Sequence, residues 1–255
     1  MKKIVSPLML AMALASAGTA MAQTAPAAPE SSLSFNVGAV SDYRYRGISQ
    51  SRLDPALQGG ADYADKSGAY IGIWGSSIKW IKDTKVNGIA GKAGTEVDIY
   101  GGYKFTVGDV GYDLGFLRYE YSGNDLQKVD GYVNANTNEL YAAATVGVLT
   151  AKYSRSTGNI FGNINSKGST YLDLTANFDL GDGYTFAPHL GRQDIKNGGF
   201  YSYTDYALTL GKDLGNGLSA SAAVIGSDAK TNAYKTPAGK QMGKSALVVG
   251  IKYAF

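Results

Sequence analysis

Apolar and polar residues alternate along most of this chain with a period of two, most cleanly at its end. Reading back from Phe255, Tyr253, Ile251, Val249 and Leu247 share one side of an extended segment. Ala254, Lys252, Gly250, Val248 and Ala246 share the other. This period marks a strand with one apolar face. A soluble sheet ending this way would expose a greasy edge with phenylalanine at its tip. In a membrane barrel the same strand closes the sheet, faces lipid and sets its last aromatic at the interface. Tyr253 and Phe255 are then the expected insertion signal.

Twelve such segments lie near residues 33–46, 55–64, 69–78, 94–105, 110–121, 137–147, 149–155, 169–180, 184–193, 202–213, 217–226 and 245–255. Most approach the roughly ten residues that a tilted strand needs to cross a bilayer. Leu33, Phe35, Val37 and Ala39 share a face of the first, and Val97, Ile99, Tyr103 and Phe105 a face of the fourth. In the fifth, Tyr112, Leu114 and Phe116 are followed on the same face by Arg118 and Glu120, which predicts a bulge or the membrane edge near Leu117. No apolar run approaches the length of a spanning helix. Only helices and closed barrels satisfy their backbone groups in lipid. The expected fold is therefore all-β, a transmembrane antiparallel β-barrel of about twelve strands.

The connections alternate in length. Residues 65–68, 106–109, 147–148, 180–183 and 214–217 read as tight turns, with Asp-Gly and Asn-Gly supplying the positive φ that hairpins require. Longer polar connections span 79–93, 122–136, 156–168, 194–201 and 227–244, and only the first, 47–54, is short. Short periplasmic turns with longer extracellular loops are the pattern of outer-membrane barrels. An even strand count places both ends of the barrel on the short-turn side.

The N-terminus fits export. Lys2 and Lys3 precede an apolar stretch, Leu8 to Ala15, and Ala20-Met21-Ala22 offers small residues for cleavage before Gln23. Residues 1–22 are thus expected to be a signal peptide, 23–32 a flexible Ala/Pro tether and 33–255 the barrel, placed in the outer membrane of a Gram-negative bacterium. There is no cysteine, which excludes disulfides, thiolate metal sites and a lipidated N-terminus. The net charge of +3 drops to +1 once Lys2 and Lys3 are removed, and gives no case for nucleic acid binding. Charge instead sorts by end: loops 47–55, 77–93, 122–137, 155–168, 192–202 and 226–244 hold fourteen basic and six acidic residues. Such a rim suits solvation, contact with lipopolysaccharide, or focusing of anions toward the mouth.

Chemistry-bearing residues concentrate on the inward phase. With 33–46 as one strand, Tyr43 and Tyr45 would sit in the outer aromatic girdle, and Asp42, Arg44 and Arg46 would form a lumenal ladder. That ladder would either pair with acids such as Asp62 or line a constriction. Glu96, Asp98, Asp113, Glu139, Asp173 and Asp205 also project inward, opposed by Lys104, Lys152, His189 and Lys252. An acidic excess would favour cations, whereas a mutually paired interior would fill the barrel. Loop 77–93, with Trp80, Ile81 and Ile89, is apolar enough to fold inward or to pack on the rim. His189 is the sole histidine, and no His/Cys cluster or phosphate-binding loop is present. No catalytic residue, metal or cofactor is assigned, and an enzyme is not expected.

The block Val40-Ser41-Asp42-Tyr43-Arg44-Tyr45-Arg46-Gly47-Ile48-Ser49-Gln50 resembles the opening strand of the TorF family of porin-like proteins, small proteobacterial outer-membrane proteins of poorly defined function. Further matches are Tyr70 to Ser76, Glu96 with Asp98 and Tyr100, Tyr112 to Gly115 followed by Tyr119 and Tyr121, and Glu139. The resemblance is sharp through about residue 145, and Ser122 stands where the family pattern would place proline. It implies an outer-membrane barrel for passive transport and supplies no binding residues. The expected function is diffusion of small hydrophilic solutes through a narrow charged lumen. Expected partners are outer-membrane lipid, lipopolysaccharide and the barrel-assembly machinery. The alternative is a closed structural or interaction barrel whose basic loops bind lipopolysaccharide or another partner.

Overall fold

In the computed structural model, which describes residues 31–255, the two-residue period resolves into one closed sheet. Its strands are β1 (Ser32–Val40), β2 (Ala56–Ala64), β3 (Ala69–Ser77), β4 (Thr95–Val107), β5 (Val110–Tyr121) and β6 (Thr137–Val146). They continue as β7 (Leu149–Ser156), β8 (Thr170–Ala176, resumed as Phe178–Gly181), β9 (Tyr184–Asp194), β10 (Tyr203–Gly215), β11 (Leu218–Ser227) and β12 (Ala246–Ala254). Each pairs antiparallel with its neighbours in sequence, and β12 returns to β1, so the sheet has no free edge. The expected signal peptide lies outside the described residues, as does nearly all of the expected tether.

Strand alternation decides what faces where. Ile73 on β3 stands opposite Ile99 on β4, and both are exposed on the outer wall, as are Leu57, Leu114, Leu172 and Val249. The intervening positions, among them Glu96, Asp98, Asp113 and Asp173, are buried inside. Apolar residues outside and carboxylates inside reverse the soluble arrangement and match a barrel in lipid. The seam is sealed at the short-turn end. The Phe35 amide donates to the Phe255 carbonyl (2.8 Å), the Phe255 amide returns the bond (3.0 Å), and their rings stack at 5.8 Å.

The break in β8 has a local cause. Pro188 on β9 has no amide proton and faces Ala176, so a ladder bond is lost there. Thr175 opposite His189 and Phe178 opposite Phe186 keep one register on either side, and the wall continues through Asn177. The two-residue turns Asp182-Gly183 and Asn216-Gly217 have both residues at positive φ, as type I′ hairpins demand. In the first turn, hydrogen bonds from Ser67 hold the Asp65 carboxyl down at about 2. Ser31 adds a further bond to Asp65, tying the start of the barrel to this end.

Two expectations need correction. The first strand ends at Val40, not Arg46, so the segment leaving the wall is 41–55 and not a short loop. Tyr43 and Tyr45 are not in the outer girdle: both are buried inside the barrel. The direct cause is a tight reversal, with Arg46 at φ 46° and Gly47 at φ 78°, pairing Arg44 with Ser49 and Tyr45 with Ile48. In the fifth strand no bulge forms. Its register runs unbroken from Val110 to Tyr121, and Arg118 and Glu120 stay on the outer face, paired with each other.

Candidate functional site: a hairpin across the lumen

Residues 41–54 form a strut inside the barrel. The Ser41 amide is still held by the Val249 carbonyl of β12 (2.8 Å), after which the chain turns inward. Asp42 organises its base, accepting from Arg44 Nε (2.7 Å), Ser49 Oγ (2.5 Å) and Ser51 Oγ (3.2 Å). The Gln50 amide donates to the Tyr43 carbonyl (2.7 Å) and closes the hairpin. Arg44 also donates to the carbonyls of Lys244 (2.7 Å) and Ile225 (3.2 Å). Its partners are thus Asp42 and main-chain oxygens, not Asp62 as the ladder reading allowed.

The tip reaches the opposite wall. Tyr43 Oη donates to Glu96 Oε1 on β4 (2.6 Å), and the Tyr45 and Tyr119 hydroxyls meet on β5. Arg46 makes a two-pronged pair with Glu139 on β6 (2.7 and 3.1 Å) and donates to Gln193 Oε1 on β9 (2.6 Å). Its guanidinium also lies 4.1 Å from the Tyr171 ring centre and 4.8 Å from that of Tyr45. Such a planar fork suits bidentate and stacked contacts at once. Gly47 is wedged against β10 and β11: a Cβ there would stand 2.6 Å from Asp205 Cβ and 2.9 Å from the Gly226 carbonyl.

Beside the strut the space is filled. Tyr43, Tyr45, Leu117, Tyr119 and Tyr121 pack with Ile78, Ile81, Leu126 and Val129 from the loops over the mouth. Loop 78–94 therefore does fold inward at Ile81 and Trp80, while Ile89 stays exposed. On the other flank Ile48 packs with Tyr203, Ala229 and Met242. At the rim, Lys79 beside Asp54 holds that carboxyl below its usual range.

The interior beyond the strut is polar. Tyr100 donates to Asp62 (2.5 Å), and Tyr70 to Asp113 (2.6 Å), with the Tyr70 and Tyr141 hydroxyls in contact. Lys104 lies over the Tyr70 ring and Lys152 over that of Tyr141. His189 bridges two carboxylates, Asp173 at 3.3 Å and Asp205 at 2.8 Å, and Tyr171 donates to Asp205. Lys252 is half-buried on the inner phase of β12. Asp98 is fully buried, and neither of its carboxylate oxygens has a hydrogen-bond partner among the described residues.

The structure thus gathers Asp42, Arg44, Arg46, Glu96 and Glu139 into one layer, with Asp98 beside it and Asp205 against Gly47 at the strut's tip; His189 links Asp205 to Asp173, and Asp113 and Lys152 stand nearer the periplasm. Asp62 and Lys104 stand there too, away from the ladder. Sequence reasoning missed Tyr43, Tyr45, Gln193 and Tyr171 as interior partners. Gln193 and Tyr171 were readable, since both fall on the inward phase of their strands. The tyrosines were not, because their phase was carried over from a strand that has already ended. Among the described residues no three His, Cys, Asp or Glu are grouped so as to hold a metal.

Residues 23–255 match the model of a family described as "Bacterial protein of unknown function (Gcw_chp)". No curated protein matches the sequence. Among solved structures, a KdgM porin in complex with disordered oligogalacturonate is similar at TM-score 0.54 and 9% identity, over 88% of this chain and 99% of that one. A NanC porin is similar at TM-score 0.52 and 12% identity, over 88% of this chain and 99% of that one. At such identity the likeness is one of fold, that of a closed twelve-stranded porin-type barrel.

Proposed function

The chain belongs to the Gcw_chp family of bacterial proteins of unknown function, and we propose that it is an outer-membrane channel through which small hydrophilic solutes diffuse when its first hairpin withdraws from the lumen. The observation that carries this reading is the nature of the obstruction. The tip of the strut is fastened by charged and hydroxyl contacts, Arg46 to Glu139 and Gln193 and Tyr43 to Glu96. Buried ion pairs return little net energy, because water solvates both partners well once they part. A polar latch over a polar lumen is easier to open than an apolar core.

The lining favours cationic and neutral solutes. Asp42, Asp62, Glu96, Asp98, Asp113, Glu139, Asp173 and Asp205 outnumber Arg44, Arg46, Lys104, Lys152, Lys252 and His189. Field and radius would set selectivity, with no chemistry involved. The oligogalacturonate named for the KdgM structure is rich in carboxylates, and an acidic lining gives no reason to carry it over to this chain. His189 serves as a bridge between carboxylates in this reading, not as a catalytic base. Placement in the outer membrane is supported by the lipid-facing belt, the export signal and the porin neighbours, and insertion by the barrel-assembly machinery with Tyr253 and Phe255 as its signal belongs to the same proposal. So does the TorF resemblance.

Planar-bilayer recording on purified protein tests the function. The expected result is small, infrequent, cation-selective steps. Absence of conductance both in the natural chain and after removal of residues 42–53 would eliminate the channel. The filled mouth favours one second reading, a closed barrel acting through its basic loops, and that result would establish it.

A further inference from the structure

Some cations on the extracellular rim pair with acids and others do not. Arg52 pairs with Asp83, Lys79 with Asp54, Arg118 with Glu120 and Lys128 with Asp125. Lys82, Lys85, Lys92, Lys230, Lys235, Lys240 and Lys244 have no carboxylate within 4.0 Å among the described residues, and the cations over β7–β9 share that property but converge on one another. Arg155, Lys167, Arg192 and Lys196 are all exposed, and none has a carboxylate within 4.0 Å among the described residues.

These four cations belong to one surface. Arg155 stands opposite Thr170, and Thr170 opposite Asp194. On the next outward rung Tyr153, Leu172, Arg192 and Thr204 follow one another across four strands, with Arg192 donating to Thr204 Oγ1 (3.2 Å). A Cβ on Gly168 would lie 3.4 Å from Arg155 Nη2 and 3.7 Å from Lys196 Cδ, so both side chains converge over that residue, and Lys167 adjoins it. The two loops that bring them together are tied by Lys196 N–H to Ser169 Oγ (3.0 Å) and Asn197 Nδ2 to the Asn165 carbonyl (3.0 Å). Of the two acids beside this sector, Asp194 accepts from Ser202 Oγ and Asp228 from the Thr204 amide. The wall among and below these cations is apolar and exposed, with Leu140 opposite Arg155, Tyr153 and Leu172 on the rung of Arg192, and Leu190 one rung nearer the membrane.

We infer that this sector binds the acidic glycolipid of the outer leaflet, its phosphates held by Arg155, Arg192, Lys196 and Lys167 and its acyl chains lying on Tyr153, Leu172 and Leu190. The argument is charge complementarity at a fixed depth. Cations without acidic partners sit at the upper edge of an alkyl-compatible wall, and a molecule with phosphate above acyl chain matches both. Guanidinium groups are well shaped for phosphate oxygens. The long-loop end of the barrel faces outward, which selects the phosphorylated glycolipid of that leaflet over inner-leaflet phospholipid. The inference rests on the outer-membrane placement proposed above, and not on conduction.

The test uses full-length processed protein in detergent, mixed with purified lipid A, and reads retained lipid by native mass spectrometry over a salt series. Each cation near an anionic headgroup contributes about a fivefold factor. Arg155→Gln/Arg192→Gln/Lys196→Gln should therefore lower retention by roughly a hundredfold, and the triple Glu variant by more. Lys82→Glu/Lys85→Glu/Lys92→Glu, an equal charge change elsewhere on the rim, should stay within about twofold of the natural chain. Heat-modifiable gel mobility identifies folded samples, and the Gln variant decides the matter if the Glu variant does not fold. Equal loss in both triple Glu variants, undiminished binding of dephosphorylated lipid A, or equal retention of phosphatidylglycerol would each overturn the inference. Unchanged bilayer conductance in the Gln variant separates this outcome from failure of the channel reading.

Discussion

Replacing Arg46 by alanine removes the centre of the lumenal strut. Three hydrogen bonds disappear, two to Glu139 and one to Gln193, together with the stacking on Tyr171. Glu139, about 1% exposed, keeps only the Tyr119 hydroxyl at 3.1 Å from the contacts described at this site. Removing one member of a buried ion pair costs about 3–5 kcal/mol, because the other charge is left uncompensated. Water entering beside the hairpin relieves that penalty, so the cost falls on the closed state. At 1.4 kcal/mol per factor of ten, open probability should rise by roughly two to three and a half powers of ten. Single-channel recording reads this directly, as longer and more frequent openings at unchanged unit conductance. The double variant Arg46→Ala/Glu139→Ala removes the orphaned acid and should recover part of the thermal stability that Arg46→Ala loses. If Arg46→Ala folds and its open probability matches that of the natural chain, the strut is not the obstruction and the reasoning fails.

Gly47→Ala adds a Cβ at φ 78°, against Asp205 and the Gly226 carbonyl. It should destabilise the seated hairpin by about 1–3 kcal/mol and raise open probability in the same recordings, and normal gating would show that the tip tolerates displacement. Ile99→Arg places a charge on the outer wall opposite Ile73. It should cost about 2–4 kcal/mol of folding stability in lipid vesicles, and a neutral effect would contradict the lipid belt. Gly191→Ala puts a Cβ 2.7 Å from Asp205 Oδ2 and into the Tyr171 ring. It should lower the temperature of the heat-modifiable gel shift, and an unchanged shift would mean that the His189 cluster does not hold β8 to β10.

Strand number, phase and the division into short and long connections were legible because each rests on local chemistry. Alternation fixes the faces of Leu172 and Asp173, and Asp-Gly and Asn-Gly fix the turns at 182–183 and 216–217. The inward carboxylates Glu96, Asp98 and Asp113 follow from the same parity. The first hairpin was not legible. Tyr43-Arg44-Tyr45-Arg46 continues the period of two, and a strand crossing the lumen alternates as well as one in the wall. The turn also uses arginine at positive φ, where asparagine would have announced it. What locates the segment is contact with Glu139 and Gln193, which are 93 and 147 positions away. No local pattern encodes such separations.

Those separations have a consequence for the order of assembly. The hairpin directly follows β1, the strand that must meet β12 to seal the cylinder, yet its partners lie on β4, β5, β6, β9 and the loop before β12. It finds its seat only once most of the wall stands, and contacts of such long range form slowly. Arg44 reaches the Lys244 carbonyl, on the approach to the closing strand, so the last act of ring closure and the docking of the hairpin share a residue. The earliest loop to emerge is among the last to be placed, and a cylinder sealed around an unseated hairpin would be recognisable as a product of its own.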